Sequence, residues 1–204
     1  NNYARASNVI SNISVSQTLD NPGNVTPGAS LNYSVKVTNN GPTSINATAF
    51  DGSGVNPLVT SLFISILPPN LTYVSQSNPD VTCTWLGPGS ASLAGPLFTN
   101  HLDYSLLICG YSGASSLLGV GESIDTTLVV TANTVPSSFT SYVITFGTTA
   151  DPDSSFLVNL LNIDLGDDDL LDRFLTSGTN NFVLAAYTAP ASNNSDSNAG
   201  GLLD

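Results

Sequence analysis

Apolar and polar residues alternate along most of this chain with a period of two, and Gly, Pro and Asn punctuate the alternation. In "SLNYSVKVTN", Leu31, Tyr33, Val35 and Val37 share one face, while Asn32, Ser34 and Lys36 share the other. That pattern predicts an antiparallel strand with one face in a core and one in water. "ISVSQTL" places Ile13, Val15 and Leu19 together, "ESIDTTLVVTA" places Ile124, Leu128 and Val130 inward, and "SYVITFG" groups Tyr142, Ile144 and Phe146. Further strands are predicted at "SINATAF", "LVTSLFISIL", "LTYVSQS", "VTCTWL" and "YSLLICGY". "NNFVLAAY" is apolar on both faces and predicts a centrally buried strand. About ten short strands with turn signals between them predict an all-β antiparallel sandwich.

One segment departs from the period of two. Residues 156–178, "FLVNLLNIDLGDDDLLDRFLTSG", carry Leu157, Leu160 and Leu161, then Leu170, Leu171, Phe174 and Leu175, at helical spacings. Asp167, Asp168 and Asp169 stand at the start of the second piece, where carboxylates complement the helix dipole. A short helical insertion is the expectation here. After Pro190, "ASNNSDSNAGGLLD" has linker composition. The expected organisation is an N-terminal extension at 1–9, a single sandwich domain at 10–190, and a tail at 191–204 that docks on a neighbour.

Composition narrows the class of protein. The 204 residues are 41% hydrophobic and only 9% charged, with 15 acidic residues against 3 basic ones and a formal net charge of -12. Such a surface must consist mainly of Ser, Thr, Asn and Gly, as is common in secreted and cell-surface proteins. The negative charge repels phosphate backbones and anionic lipid, so a nucleic-acid or membrane-surface partner is not expected. Halophilic adaptation explains the charge poorly, because Glu122 is the only glutamate. No apolar run is long enough to span a bilayer, and a type IV pilin would need such a run at its N-terminus. The absence of Met and the start at Asn1 are expected of a processed chain that has lost a signal peptide.

Cys83 and Cys109 are the only cysteines, and they fit one disulfide in an oxidising compartment or two buried thiols, since both lie in apolar contexts. A bridge over that separation contributes roughly 3.5 kcal/mol by loop-closure entropy.

Read in order, "ISVSQTLDNPGNVTPGASLNYSVKVTNNGP", "LPPNLTYVSQS", "VTCTW", "LLGVGESIDTTLVVTA", "YVITFGTTADPD" and "TNNFVLAAY" resemble the repeat module called domain of unknown function eleven. The resemblance covers residues 10–190. It implies an immunoglobulin-like β-sandwich of the kind found in bacterial and archaeal surface proteins. "DGSGVNPLVTSLFIS" and residues 156–178 interrupt the family's pattern, and residues 1–9 and the tail lie outside it. The family usually occurs as tandem repeats, whereas one decorated copy stands here. Such additions are expected of a solitary module that contacts copies of itself.

The candidate sites are few. Asn12, Asn24, Asn32, Asn46, Asn70 and Asn193 begin Asn-x-Ser/Thr sequons and are candidates for covalent glycans. Lys36, the only lysine, raises the possibility of an isopeptide bond, but it shares the polar face with Asn32 and Ser34, whereas that chemistry needs a buried Lys beside a carboxyl. Asp151, Asp153, Asp164, Asp167, Asp168 and Asp169 could ligate calcium, although their spacing does not match an EF-hand loop and helix capping accounts for them more simply. No other metal and no cofactor is expected with one histidine. His101 and Asp103 do not form a triad with a nucleophile elbow, so the chain is expected not to be an enzyme.

These features together predict a structural subunit of an extracellular filament or pilus-like fibre. It polymerises with copies of itself by β-strand complementation. Residues 1–14 are the first choice of donor, with Tyr3, Val9 and Ile13 on one face of the inter-subunit strand, and Leu202 and Leu203 are a second anchor. The alternative is a cell-surface adhesin or carbohydrate-binding module, or a surface-layer protein.

Overall fold

The computed structural model describes residues 13–20, 23–42, 44–46, 62–91, 101–111, 117–145 and 182–190. These form β1 (Ile13–Leu19), β2 (Ser30–Asn39), β3 (Ile45–Asn46), β4 (Phe63–Leu67), β5 (Leu71–Gln76) and β6 (Val81–Trp85). The later strands are β7 (Ser105–Tyr111), β8 (Leu117–Leu118), β9 (Ser123–Ala132), β10 (Ser138–Ile144) and β11 (Phe182–Thr188). One sheet has the order β1-β2-β9-β5 and the other β11-β10-β4-β7-β6, with β3 and β8 as a small pair. Every pairing is antiparallel. The described residues form an all-β sandwich.

The alternation read from β2 holds: Leu31, Tyr33, Val35 and Val37 are buried, and Lys36 is exposed. β9 presents Ile124, Thr126, Leu128, Val130 and Ala132 inward beside them. From the second sheet, Phe63, Leu67, Leu107, Cys109, Phe139 and Val143 meet this layer in one continuous core. Each such side chain contributes about 1.5–3 kcal/mol by leaving water.

The motif "TNNGP" closes the end of β2. The Asn39 Nδ2 donates to the Leu118 carbonyl at 2.9 Å, and its Oδ1 accepts from the Gly41 amide at 3.0 Å. The Asn39 carbonyl accepts from Gly121 at 2.8 Å, where the chain turns into β9. A wholly buried amide is therefore satisfied on both sides and ties three segments together.

One expectation is corrected. "NNFVLAAY" is not a central strand, because β11 is the terminal strand of the five-stranded sheet and Leu184 is 38% exposed. The residues facing away from the sandwich core on its neighbours, Ile64, Ile66, Leu106, Ile108, Tyr142 and Ile144, are also buried. That outer cover does not extend over β11, where Leu184, Ala186 and Thr188 are exposed, so an apolar run there does not mean burial on both faces. On β10, Tyr142 and Ile144 share a face as their spacing predicts. Phe139, Ser141 and Val143 face the sandwich core, while Tyr142 and Ile144 lie on the other face. Phe146 and the expected helical insertion at residues 156–178 lie outside the described residues, as does most of "SINATAF".

Candidate functional site

The two long sides of the sandwich are built differently. On one side β5 passes directly into β6, so the sheets are joined covalently, and side chains secure the turn. The Gln76 Nε2 donates to the Val81 carbonyl at 2.6 Å, and the Asn78 Nδ2 donates to the Asp125 carbonyl at 2.9 Å. The β5 edge is irregular at Val74, where the register with β9 shifts between Tyr73 and Ser75. A bulge of this kind twists an edge away from further pairing.

On the other side, β1 and β11 are terminal strands that run alongside each other. Among the described residues, neither has a hydrogen-bonded neighbour on its outer edge. Both are regular over their full length, from Ile13↔Asn39 to Leu19↔Tyr33 and from Ser138↔Thr188 to Ile144↔Phe182. Between them lies a groove of about 250 Å³ lined by residues 17–19 and 185–188. Among the described residues, hydrogen bonds across this side use a side chain on one partner: the Gln17 Nε2 of β1 donates to the Ser141 carbonyl of β10 at 3.2 Å, and the Tyr187 hydroxyl accepts from the Val25 amide at 3.1 Å. An open pair of edges exposes main-chain donors and acceptors that an added strand satisfies.

Behind this groove, Tyr33 and Ser141 share a hydrogen bond of 2.8 Å between their hydroxyls. Burial raises the Tyr33 phenol to about 12, although the Ser141 bond pulls it back. Tyr104 is also raised to about 12, mainly by burial and then by Tyr142 and Asp103.

The outer face of the four-stranded sheet is polar. Ser16, Lys36 and Asp125 occupy one row across β1, β2 and β9. They line a shallow trough of about 230 Å³ with Thr18, Ser34 and Thr127. Lys36 is exposed on this face, whereas an isopeptide requires a buried Lys.

Cys83 and Cys109 form a disulfide with Cα atoms 4.1 Å apart. They are direct cross-strand partners on β6 and β7, so the bridge is a rung within one sheet. The sequence offered this disulfide, and the register of β6 and β7 decides that it is a rung within one sheet.

Ile13 is corrected as a donor residue: it pairs with Asn39 of its own chain and is wholly buried in its own core. Once β1 has completed its own sheet, Ile13 is not available to a neighbour. Tyr3, Val9, Leu202 and Leu203 lie outside the described residues, as do Asn12, Asn193 and the six candidate calcium ligands. Asn24 is exposed and Asn32 faces outward, whereas Asn70 is 8% exposed and donates Nδ2 to the Thr134 carbonyl at 3.2 Å. Asn46 is placed in β3, but its side chain is not among those described. His101 packs edge-on against Tyr104 and Tyr142, at centroid distances of 4.7 and 5.7 Å. Among the described residues no three His, Cys, Asp or Glu side chains gather as a metal would require, and no helix is long and apolar enough to cross a membrane.

No protein-family model matches the chain, and no curated protein matches it. Among solved structures, the chain is similar to a biomass-sensing module of the Rsgi2 protein of Clostridium thermocellum, described as resembling a family 3 carbohydrate-binding module of the cellulosome. The identity is 13% over 61% of this chain and 67% of that one, with a TM-score of 0.38. It is also similar to a CBM of Ruminiclostridium thermocellum, at 19% identity over 59% of this chain and 72% of that one, TM-score 0.36. A GH20 exo-β-N-acetylglucosaminidase of Vibrio harveyi shares 9% identity over 65% of this chain and 15% of that one, TM-score 0.32. These likenesses are weak and assign no activity to this chain.

Proposed function

We propose that this chain is a non-enzymatic, immunoglobulin-like module of the cell exterior that assembles with copies of itself by accepting a strand at the β1/β11 side. The immunoglobulin-like reading is supported by strand order. β1-β2-β9-β5 opposite β11-β10-β4 corresponds to strands A-B-E-D opposite G-F-C, with the disulfide-bridged β6–β7 hairpin added beside β4. The observation that carries the assembly reading is the contrast between the two sides, one sealed by a covalent turn and a bulge, the other regular and bridged through side chains. The donor is the segment preceding β1 in a second copy, with Tyr3 and Val9 as its apolar residues and Ile13 remaining in its own sheet. Head-to-tail donation of this kind repeats into a fibre.

Electron microscopy of the purified protein tests the reading. Uniform fibres that vanish when residues 1–10 are deleted, while circular dichroism of the fold is retained, support it. Dispersed monomers under all conditions count against it.

A second reading, a carbohydrate-binding module, draws on the polar trough around Lys36 and Asp125, whose hydroxyls and charges suit sugar hydroxyls. Retention on insoluble polysaccharide, lost in Lys36→Ala and Asp125→Ala, favours this reading over assembly.

A further inference from the structure

A free asparagine amide on this surface is uncommon, and where it occurs is informative. Among the asparagines whose side chains are described, Asn39 donates Nδ2 to the Leu118 carbonyl, Asn40 to the Ser14 hydroxyl and Asn70 to the Thr134 carbonyl. Asn78 donates to the Asp125 carbonyl and Asn133 to the Thr72 hydroxyl. The exceptions are Asn24 and Asn32, whose amides have no partner among the described residues. Both begin a sequon, Asn24-Val25-Thr26 and Asn32-Tyr33-Ser34.

From this coincidence we infer that Asn24 and Asn32 carry N-linked glycans and that Asn70, the other sequon asparagine with a described side chain, does not. Asn24 is exposed in the connection between β1 and β2, held in place by the Val25 amide's bond to the Tyr187 hydroxyl. Asn32 lies on β2, where the period of two puts it on the same outward face as its sequon hydroxyl, Ser34. Tyr33 between them points into the core, while the Asn32 amide stays outside it and the Ser34 hydroxyl donates to the Asp20 Oδ2 at 2.6 Å on the exposed surface. Asn70 differs on both counts, being nearly enclosed and already committed through Nδ2. A sugar on Asn70 has to displace that arrangement at the start of β5.

The reaction needs an external glycosyl donor, a polyprenyl-phosphate-linked oligosaccharide, and its transferase. The amide nitrogen forms a bond to the sugar C1 while the bond from C1 to the phosphate oxygen breaks. The lipid phosphate leaves with the electron pair, and Nδ2 gives up one proton. This inference rests on the extracellular part of the proposed function and not on strand addition.

Glycopeptide mass spectrometry of the protein isolated from the cells that make it provides the test. The expected result is sugar on the Asn24 and Asn32 peptides and a bare Asn70 peptide. Asn24→Gln and Asn32→Gln should each remove one glycan mass from the intact protein, and Asn70→Gln should remove none while lowering the thermal midpoint. A bare Asn24, a bare Asn32 or an occupied Asn70 overturns the inference. Fibres bearing bare asparagines sink only this inference, whereas glycosylated monomers sink only the assembly reading.

Discussion

Tyr33 on β2 and Ser141 on β10 join the two sheets through a single 2.8 Å hydrogen bond between hydroxyls, next to the corner where β1 and β11 meet. Tyr33 is wholly buried, so its hydroxyl has no water to fall back on. Tyr33→Phe leaves the Ser141 hydroxyl short of this partner and should lower stability by about 1–3 kcal/mol in urea unfolding.

Burial of Tyr33 sets an alkaline limit. The folded-state value of Tyr33, about 12, lies above its ordinary value of 10.0, so the folded chain holds the proton more tightly than the unfolded one. The stabilisation is therefore complete below pH 10 and is lost as pH rises toward 12, by up to about 3 kcal/mol. Urea midpoints measured between pH 9 and pH 12 should fall along this course, and Tyr33→Phe should make the fall shallower while leaving the part that the half-buried Tyr104 contributes in the same direction.

The Cys83–Cys109 rung closes a sequence separation of 26. Replacing both cysteines with Ser should cost roughly 3.5 kcal/mol. Differential scanning calorimetry of the double variant should show a lowered midpoint no longer sensitive to reductant. An unchanged midpoint sinks the idea that the added hairpin depends on its bridge.

Ala186 is exposed on the open edge strand β11. Ala186→Lys puts a charge where an incoming strand must lie and should abolish fibres, while changing monomer stability by no more than about 0.5 kcal/mol. Light scattering and thermal melts of the same sample separate the two effects. Fibres of normal length in Ala186→Lys place the accepting edge elsewhere.

Gly121 turns the chain into β9 with φ at +78°, and its amide donates to the Asn39 carbonyl. A side chain there meets no steric obstacle within 4 Å, so the cost of Gly121→Ala is conformational, about 1 kcal/mol. A chemical denaturation curve should shift by that amount with an unchanged slope.

Much of the four-stranded sheet was legible in the sequence, because one of its faces meets water and the other the core. Leu31 through Val37, and Ile124 through Val130, alternate as that contrast requires. The five-stranded sheet was harder to read. With β4 buried at every position, apolarity no longer says which face meets the other sheet: the spacing groups Tyr142 with Ile144 but does not say which side they take, and the apolar run of β11 does not reveal that it is an edge. The sequons were visible as strings, but whether an amide is free depends on neighbours far along the chain. Asn70 meets Thr134 across 64 positions.

The sequence by itself therefore determined that the chain builds an antiparallel sandwich with a sparsely charged, hydroxyl-rich exterior, because alternation and composition are local properties. Tertiary structure alone decided which strands are edges, that the cysteine bridge is a rung within one sheet, and which asparagine amides have no partner among the described residues. Those depend on strand order and register, and the interactions that fix order and register join residues that are distant in sequence and adjacent only once the sheets have closed.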